Sequence, residues 1–132
     1  KDVPKTLVWA LSRWRNEQAE LTGEPPPIPP RSIDKEPSAE LRPDQLDSDS
    51  LPDYAELDAV VAHYVEGGVS ASELVAAGFN PQVARRIIQL TDAAEYKRRQ
   101  YPPGTKITRL AFGRDRRMPI TNRWSEPGEG DE

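Results

Sequence analysis

Three observations predict a mostly α-helical chain interrupted by a long proline-rich arm. Apolar residues recur at three- and four-residue steps in several stretches, each bounded by residues that start or stop helices. Eight of the fourteen prolines fall between residues 24 and 52, where that periodicity vanishes. Apolar residues make up only 36% of the 132-residue chain, against a usual ~45–50% counted with Gly, so much of it cannot lie in a packed core. The length allows one small domain at most.

In chain order, Asp2 is placed to accept hydrogen bonds from the first free N–H groups of a helix and Pro4 suits its opening turn. Leu7, Leu11, Trp14, Gln18 and Leu21 then form one stripe, with a stop near Gly23. From Glu24 to Pro52 the chain reads as a loop; Pro25-Pro26-Pro27-Ile28-Pro29-Pro30 favours polyproline II, and Asp44, Asp47, Asp49 and Ser50 keep the segment polar. Asp53 and Glu56 open a second helix, with Leu57, Val60, Val61 and Tyr64 on one face as far as Gly67-Gly68. Ser70-Ala71-Ser72-Glu73 is a capping box, with Val69 and Leu74 placed as a hydrophobic staple across it. That short helix ends at Gly78. Asn80-Pro81 opens another, with Val83, Ile87, Leu90 and Ala94 spaced for burial, expected to reach Arg99 before Pro102-Pro103. Ile107–Phe112 is expected as a short strand or as an extended arm packing on the helices. From Ser125 the acidic tail is expected to be disordered. Leu7, Leu11, Trp14, Leu57, Val60, Val61, Val83, Ile87 and Leu90 are the expected buried set.

Composition removes several function classes. The chain has no Cys and one His, which excludes disulfides, thiolate nucleophiles and Cys- or His-rich metal sites. A net charge of −4 argues against a dedicated nucleic-acid binder. The absence of an ~18-residue apolar run argues against a membrane span, and no leader pattern is visible, so the expected compartment is cytoplasmic. The chain opens on Lys1 with an immediate helix signal, which suggests an internal or C-terminal piece of a longer polypeptide.

Cations recur late in this acidic chain, as Lys97-Arg98-Arg99, Lys106, Arg109, Arg114, Arg116 and Arg117. Beside turns rich in Gly and Pro they are suited to phosphate or carboxylate, with Arg as a bidentate fork and Lys as a point charge. The plainer alternative is a solvated helix end, where cations complement the helix dipole. Asp47-Ser48-Asp49-Ser50 resembles the start of a calcium loop, but Leu51 and Pro52 occupy positions that need a ligand and a glycine. His63 reads as a partly buried structural residue, and Trp9, Trp14, Tyr54 and Tyr64 as helix packing.

The run from Ile33 through Lys35, Ser38 and Arg42 to Gln45, followed by Asp47-Ser48-Asp49-Ser50-Leu51-Pro52-Asp53-Tyr54, resembles the C-terminal part of glutamine-dependent NAD synthetases. Val3-Pro4-Lys5-Thr6-Leu7-Val8, Glu95-Tyr96-Lys97-Arg98-Arg99-Gln100 and Pro103-Gly104-Thr105-Lys106-Ile107-Thr108 support the resemblance in the same order. It covers roughly residues 2–124.

The resemblance implies residues 1–124 as the C-terminal portion of a ligase domain, with 24–53 as a substrate-covering lid. These helices would pack on a doubly wound α/β sheet of the ATP-pyrophosphatase type lying mainly upstream. ATP would adenylate the carboxylate of deamido-NAD with Mg²⁺ assistance, and ammonia from a separate N-terminal glutaminase domain would complete the amide. The Mg²⁺ ligands are expected mostly outside this chain, none being assigned within it. Neither the glutaminase residues nor the phosphate loop of the synthetase is present, so this piece alone is not expected to be active.

Position by position, the resemblance gives Lys5 and Ser38 to the ATP phosphates as catalytic groups, with Lys35 assisting. Lys97, Tyr96, Asp47 and Asp49 fall beside the deamido-NAD pocket, with Tyr96 standing where ammonia-using relatives carry His. A homo-oligomer is expected, with neither nucleic acid nor membrane as partner. The alternative from another class is a non-catalytic helical module that presents Pro25–Pro30 as a docking arm.

Overall fold

The structure, a computed structural model, describes residues 2–37, 46–47 and 51–121. Among them every regular element is helical, and no helix is long and apolar enough to cross a membrane. Two compact units are present: Val3–Tyr54, and Asp2 together with the chain from Ala55 onward.

In the first unit, α1 spans Lys5–Leu21 and α2 is a short helix, Pro30–Asp34. At the end of α1 the Gly23 N–H donates to the Glu20 carbonyl at 3.1 Å and the Glu24 N–H to the Ala19 carbonyl at 2.8 Å. Gly23 has φ +75°, a left-handed conformation that glycine adopts without Cβ strain, and this pairing satisfies the last carbonyls of the helix. The stop expected near Gly23 is therefore observed. The start differs from expectation. Pro4 is the residue flanking α1, no side chain caps it, and Asp2, two residues further out, bonds elsewhere.

The proline-rich stretch is tied back onto α1. Asn16 Nδ2 donates to the Ile28 carbonyl at 2.8 Å, and Asn16 Oδ1 accepts from the Ile28 N–H at 3.0 Å. One side-chain amide thus satisfies both polar backbone groups of the single non-proline residue in Pro25–Pro30. The segment read as continuous loop contains α2, because Pro30 at a helix's first position loses no hydrogen bond. With Ile28 engaged internally, the docking-arm alternative is not favoured. Asn16→Ala should destabilise this unit by about 1–2 kcal/mol for two lost hydrogen bonds. The check is faster hydrogen exchange at the Ile28 amide, and unchanged exchange would refute the tie.

Ile33 and Ala19 are buried in this unit, but Leu11 and Trp14, expected in the core, are 48% and 54% exposed. Leu7 is half-buried. The arm engages α1 at Asn16 through the amide tie and leaves the large side chains of the stripe uncovered.

In the second unit, α3 starts at Tyr54 and runs to Val61, then widens into a π-helical turn, Ala62–Glu66. The Gly67 N–H reaches back five residues to the Ala62 carbonyl at 3.3 Å. A Cβ on Gly67 would stand 2.6 Å from the His63 carbonyl oxygen, so this crossing needs glycine. His63 is exposed rather than partly buried; its Nδ1 lies 2.9 Å from the Ala59 carbonyl and its ring stands edge-on to Phe79.

α4 spans Ala71–Ala76 and carries the expected capping box: Ser70 Oγ accepts from the Glu73 N–H while Glu73 Oε2 accepts from the Ser70 N–H at 2.8 Å. α5 spans Pro81–Ala93, with Asn80 Oδ1 accepting from the N–H groups of Gln82 and Val83. Val60, Tyr64, Val65, Leu74, Ala84, Ile87 and Ile88 form the core between these helices. Val60 and Ile87 are buried as expected, whereas Leu57, Val61, Val83 and Leu90 are only partly so.

The helix expected to continue to Arg99 breaks at Ala94 and resumes as α6, Glu95–Arg99. Arg98 donates to the Thr91 carbonyl at 2.6 Å, the acceptor that a continuing helix would give to the Glu95 N–H. Beyond α6, Ile107–Phe112 forms bends and the start of a turn rather than a strand, and Phe112 packs against the core. The Asp2 carboxylate fixes this arm, accepting from the N–H groups of Ile107 (2.6 Å), Thr108 (2.8 Å) and Phe112 (3.1 Å) and from the Thr108 hydroxyl (2.7 Å). Arg116 adds a second tie, donating at 2.7 Å to Asp92, whose carboxylate also accepts from the Tyr64 hydroxyl. The acidic tail from Ser125 lies outside the described residues.

Candidate functional site

The first unit gathers three of the expected site residues around two aromatic rings. Lys5 is the first residue of α1, and its Nζ lies 5.4 Å from the centroid of the Trp9 ring. One turn separates them, so the helix places ammonium and indole on the same side. Trp9 meets Tyr54 edge-to-face, with centroids 5.5 Å apart and planes at 82°. The Tyr54 hydroxyl donates to Asp47 Oδ2 at 2.5 Å. Asp47 is held in turn by its own N–H, which donates to the Pro37 carbonyl at 2.9 Å, and its carbonyl accepts from the Leu51 N–H at 2.9 Å.

Lys35 follows α2, with its N–H donating to the Arg31 carbonyl. It lines a groove of about 400 Å³ together with Trp9, Arg13 and Tyr54. The Lys5 ammonium therefore stands against an aromatic ring that also lines the groove to which Lys35 belongs. Such an arrangement suits a ligand that has a planar ring and an anionic group.

The start of α1 reinforces the positive field. It has no side-chain cap and no acidic residue in its first turn, so the partial positive charge of the helix end is not offset locally and adds to that of Lys5. Ser38 and Asp49, also expected here, lie outside the described residues. The helical spacing of Trp9 and Tyr54 favours packing over a base-stacking platform. The four-residue step from Lys5 to Trp9 is the signal that could have assigned Trp9 to the site.

In the second unit, Tyr96 and Lys97 project from α6 and are exposed; the Lys97 Nζ lies 6.0 Å from the Tyr96 ring centroid. Their neighbours on the helix are occupied internally. Glu95 is 4% exposed and accepts from Arg98 and from Arg99, each at 2.9 Å. Burial opposes its ionisation, but the Arg99 and Arg98 hydrogen bonds outweigh this and hold its pKa below the ordinary glutamate value. Arg98 and Arg116 have side chains only 10% and 12% exposed, so a solvated helix end does not describe them. Among the described residues no group of three or more His, Asp or Glu side chains could hold a metal ion.

The sequence of the chain matches a known family. The family model described as NAD synthase matches residues 1–101, and the chain belongs to that family. Among individual proteins, it is 49% identical over 94% of its length to the glutamine-dependent NAD(+) synthetase of Acinetobacter baylyi. It is 46% identical over 95% of its length to that of Xanthomonas campestris. The solved structure of glutamine-dependent NAD+ synthetase from Acinetobacter baumannii in complex with adenosine diphosphate matches 96% of this chain, with a TM-score of 0.55 and 38% identity. In each case the chain spans only 21–22% of the relative's length.

Proposed function

We propose that this chain is the C-terminal section of the ligase domain of a glutamine-dependent NAD synthetase. The observation that carries the reading is the similarity to enzymes of that name across 94% of this chain. In the whole polypeptide, a carboxylate oxygen of deamido-NAD attacks the α-phosphorus of ATP. The bond to the β-phosphate breaks and pyrophosphate leaves. Ammonia released from glutamine by an N-terminal glutaminase domain then attacks the acyl carbon, loses a proton and displaces AMP, giving NAD.

Lys5, at the uncapped start of α1, neutralises charge growing on the departing pyrophosphate, with Ser38 as a hydroxyl donor to the same phosphates and Lys35 assisting. Residues 24–53 act as the lid over this site within a ligase portion running over 1–124. Lys97, Tyr96, Asp47 and Asp49 serve deamido-NAD. The exposed Leu11 and Trp14 on α1 support packing against a doubly wound ATP-pyrophosphatase sheet upstream. The assembly is a cytoplasmic homo-oligomer, and any Mg²⁺ that assists pyrophosphate departure is held by residues outside this chain.

The test supplies the whole polypeptide with ATP, deamido-NAD and either glutamine or ammonium. NAD, AMP and pyrophosphate should form in equal amounts; ADP and phosphate instead, or no NAD, would overturn the reading. Lys97→Ala should raise KM for deamido-NAD about tenfold, the effect of losing ~1.4 kcal/mol of binding, with KM for ATP unchanged. An unaltered KM for deamido-NAD would remove Lys97 from that role.

A further inference from the structure

Asp47 is held through both its backbone and its side chain. Its N–H donates to the Pro37 carbonyl and its carbonyl accepts from the Leu51 N–H, each at 2.9 Å. These bonds fix the backbone but leave the side-chain torsions to be set by whatever the carboxylate itself meets. It meets Tyr54. The Tyr54 hydroxyl donates to Asp47 Oδ2 at 2.5 Å, a length that belongs to the strong class of hydrogen bonds from a hydroxyl to a carboxylate. Both side chains are half-buried.

Tyr54 is equipped to hold a carboxylate still. A tyrosine side chain turns about two torsions only, so its hydroxyl goes where its ring goes. That ring stands edge-on to Trp9, with centroids 5.5 Å apart and planes at 82°, an arrangement that aromatic rings favour. Trp9 in turn is rooted in α1. Side chain follows side chain from the helix outward: Trp9 seats the Tyr54 ring, and the Tyr54 hydroxyl turns the Asp47 carboxylate. Trp9 and Tyr54 line the groove of about 400 Å³, and so do Pro37 and Leu51, the backbone partners of Asp47. A carboxylate already oriented before a ligand arrives spares binding the entropy of ordering it.

We infer that Tyr54 is a positioning residue for deamido-NAD, acting through Asp47, whose carboxylate its hydroxyl orients toward a donor group of the substrate. The inference rests on the reading of Asp47 as a residue that serves deamido-NAD.

The experiment is steady-state kinetics of the whole polypeptide with ATP, deamido-NAD and ammonium, for Tyr54→Phe, Asp47→Ala and the two combined. Tyr54→Phe removes one oxygen atom and keeps the ring against Trp9. It should raise KM for deamido-NAD about tenfold, the scale of a lost hydrogen bond to a charged group, while kcat and KM for ATP move far less. Asp47→Ala should raise the same constant at least as far. Adding Tyr54→Phe to it should raise it no further, because the hydroxyl then has no carboxylate to turn. Two effects that multiply would show Tyr54 acting independently of Asp47 and overturn the inference. An unaltered KM in Tyr54→Phe beside a raised one in Asp47→Ala also overturns it, and leaves the ligase reading in place. An unaltered KM in Asp47→Ala removes Asp47 from the substrate, and the inference falls with that part of the reading. Hydrogen exchange separates orientation from loss of structure. The Asp47 and Leu51 amides should keep their protection in Tyr54→Phe; if they lose it, the kinetic effect belongs to a loosened segment and Tyr54 is not a positioning residue.

Discussion

Replacing Lys5 with Ala in the whole polypeptide is expected to lower NAD formation by a factor on the order of 10² or more while glutamine hydrolysis persists, as when a contact to transition-state charge is lost. The loss should appear in kcat, since charge on departing pyrophosphate grows as the bond breaks. The structure supplies a competing explanation, because the Lys5 ammonium also lies against the Trp9 ring. A cation–π contact is worth ~0.5–1 kcal/mol at an exposed position and ~2 kcal/mol when desolvated; Lys5 and Trp9 are half-buried, and even the upper figure falls short of the ~2.7 kcal/mol of a hundredfold effect. Trp9→Leu separates the two. If Lys5 acts by stacking, both variants lose the same activity; if it acts on phosphate, Lys5→Ala falls much further. Unchanged NAD formation in Lys5→Ala would remove Lys5 from the mechanism.

That experiment also bears on why α1 begins as it does. A carboxylate capping its first turn would offset the positive helix end beside Lys5. The sequence pointed to Asp2 for that task, since an acidic residue just before a helix is a common cap. The structure instead puts Pro4 at the boundary and uses Asp2 on the distant arm. The start of the helix therefore keeps its positive character.

What the sequence disclosed and what it withheld follow from the range of the forces involved. The Ser70–Glu73 box, the Asn80 cap and the stop at Gly23 involve residues within five positions of one another, and all three are present. Misreadings arose where a distant partner decided the outcome. Leu11 and Trp14 are spaced for burial, yet spacing says nothing of whether a partner stands opposite. At the break at Ala94 a guanidinium takes up the Thr91 carbonyl, a contact that periodicity does not register. The clustering of late cations was legible. The steps from Glu95 to Arg98 and Arg99 are ones at which helix side chains pair, but the pair of Arg116 with Asp92 spans 24 positions and leaves no local pattern. For the site, family resemblance supplied Lys5, Lys35 and Asp47, whereas the Trp9–Tyr54 pair around which they gather came only from the structure.

Removing the Asp2 carboxylate is expected to release the arm over residues 107–112, at a cost on the order of 2–4 kcal/mol, because four donors lose a shared charged acceptor. Asp2 is 6% exposed. Burial alone would raise its pKa, but the Thr108 hydroxyl and the N–H groups of Ile107, Thr108 and Phe112 outweigh it and lower the value to about 2. Since the folded-state pKa lies below the ordinary value of ~3.9, the carboxylate's contribution is fully present above about pH 4 and disappears as pH falls through about 2. Asp2→Ala should therefore unfold at lower temperature than the parent at pH 7, with the difference shrinking toward pH 2. Asp2→Asn tests whether shape suffices: it replaces an acceptor oxygen with an NH₂ that faces donors, so it should lose nearly as much. The local readout is faster exchange at the Ile107, Thr108 and Phe112 amides. If those amides keep their protection in Asp2→Ala, the carboxylate does not hold the arm.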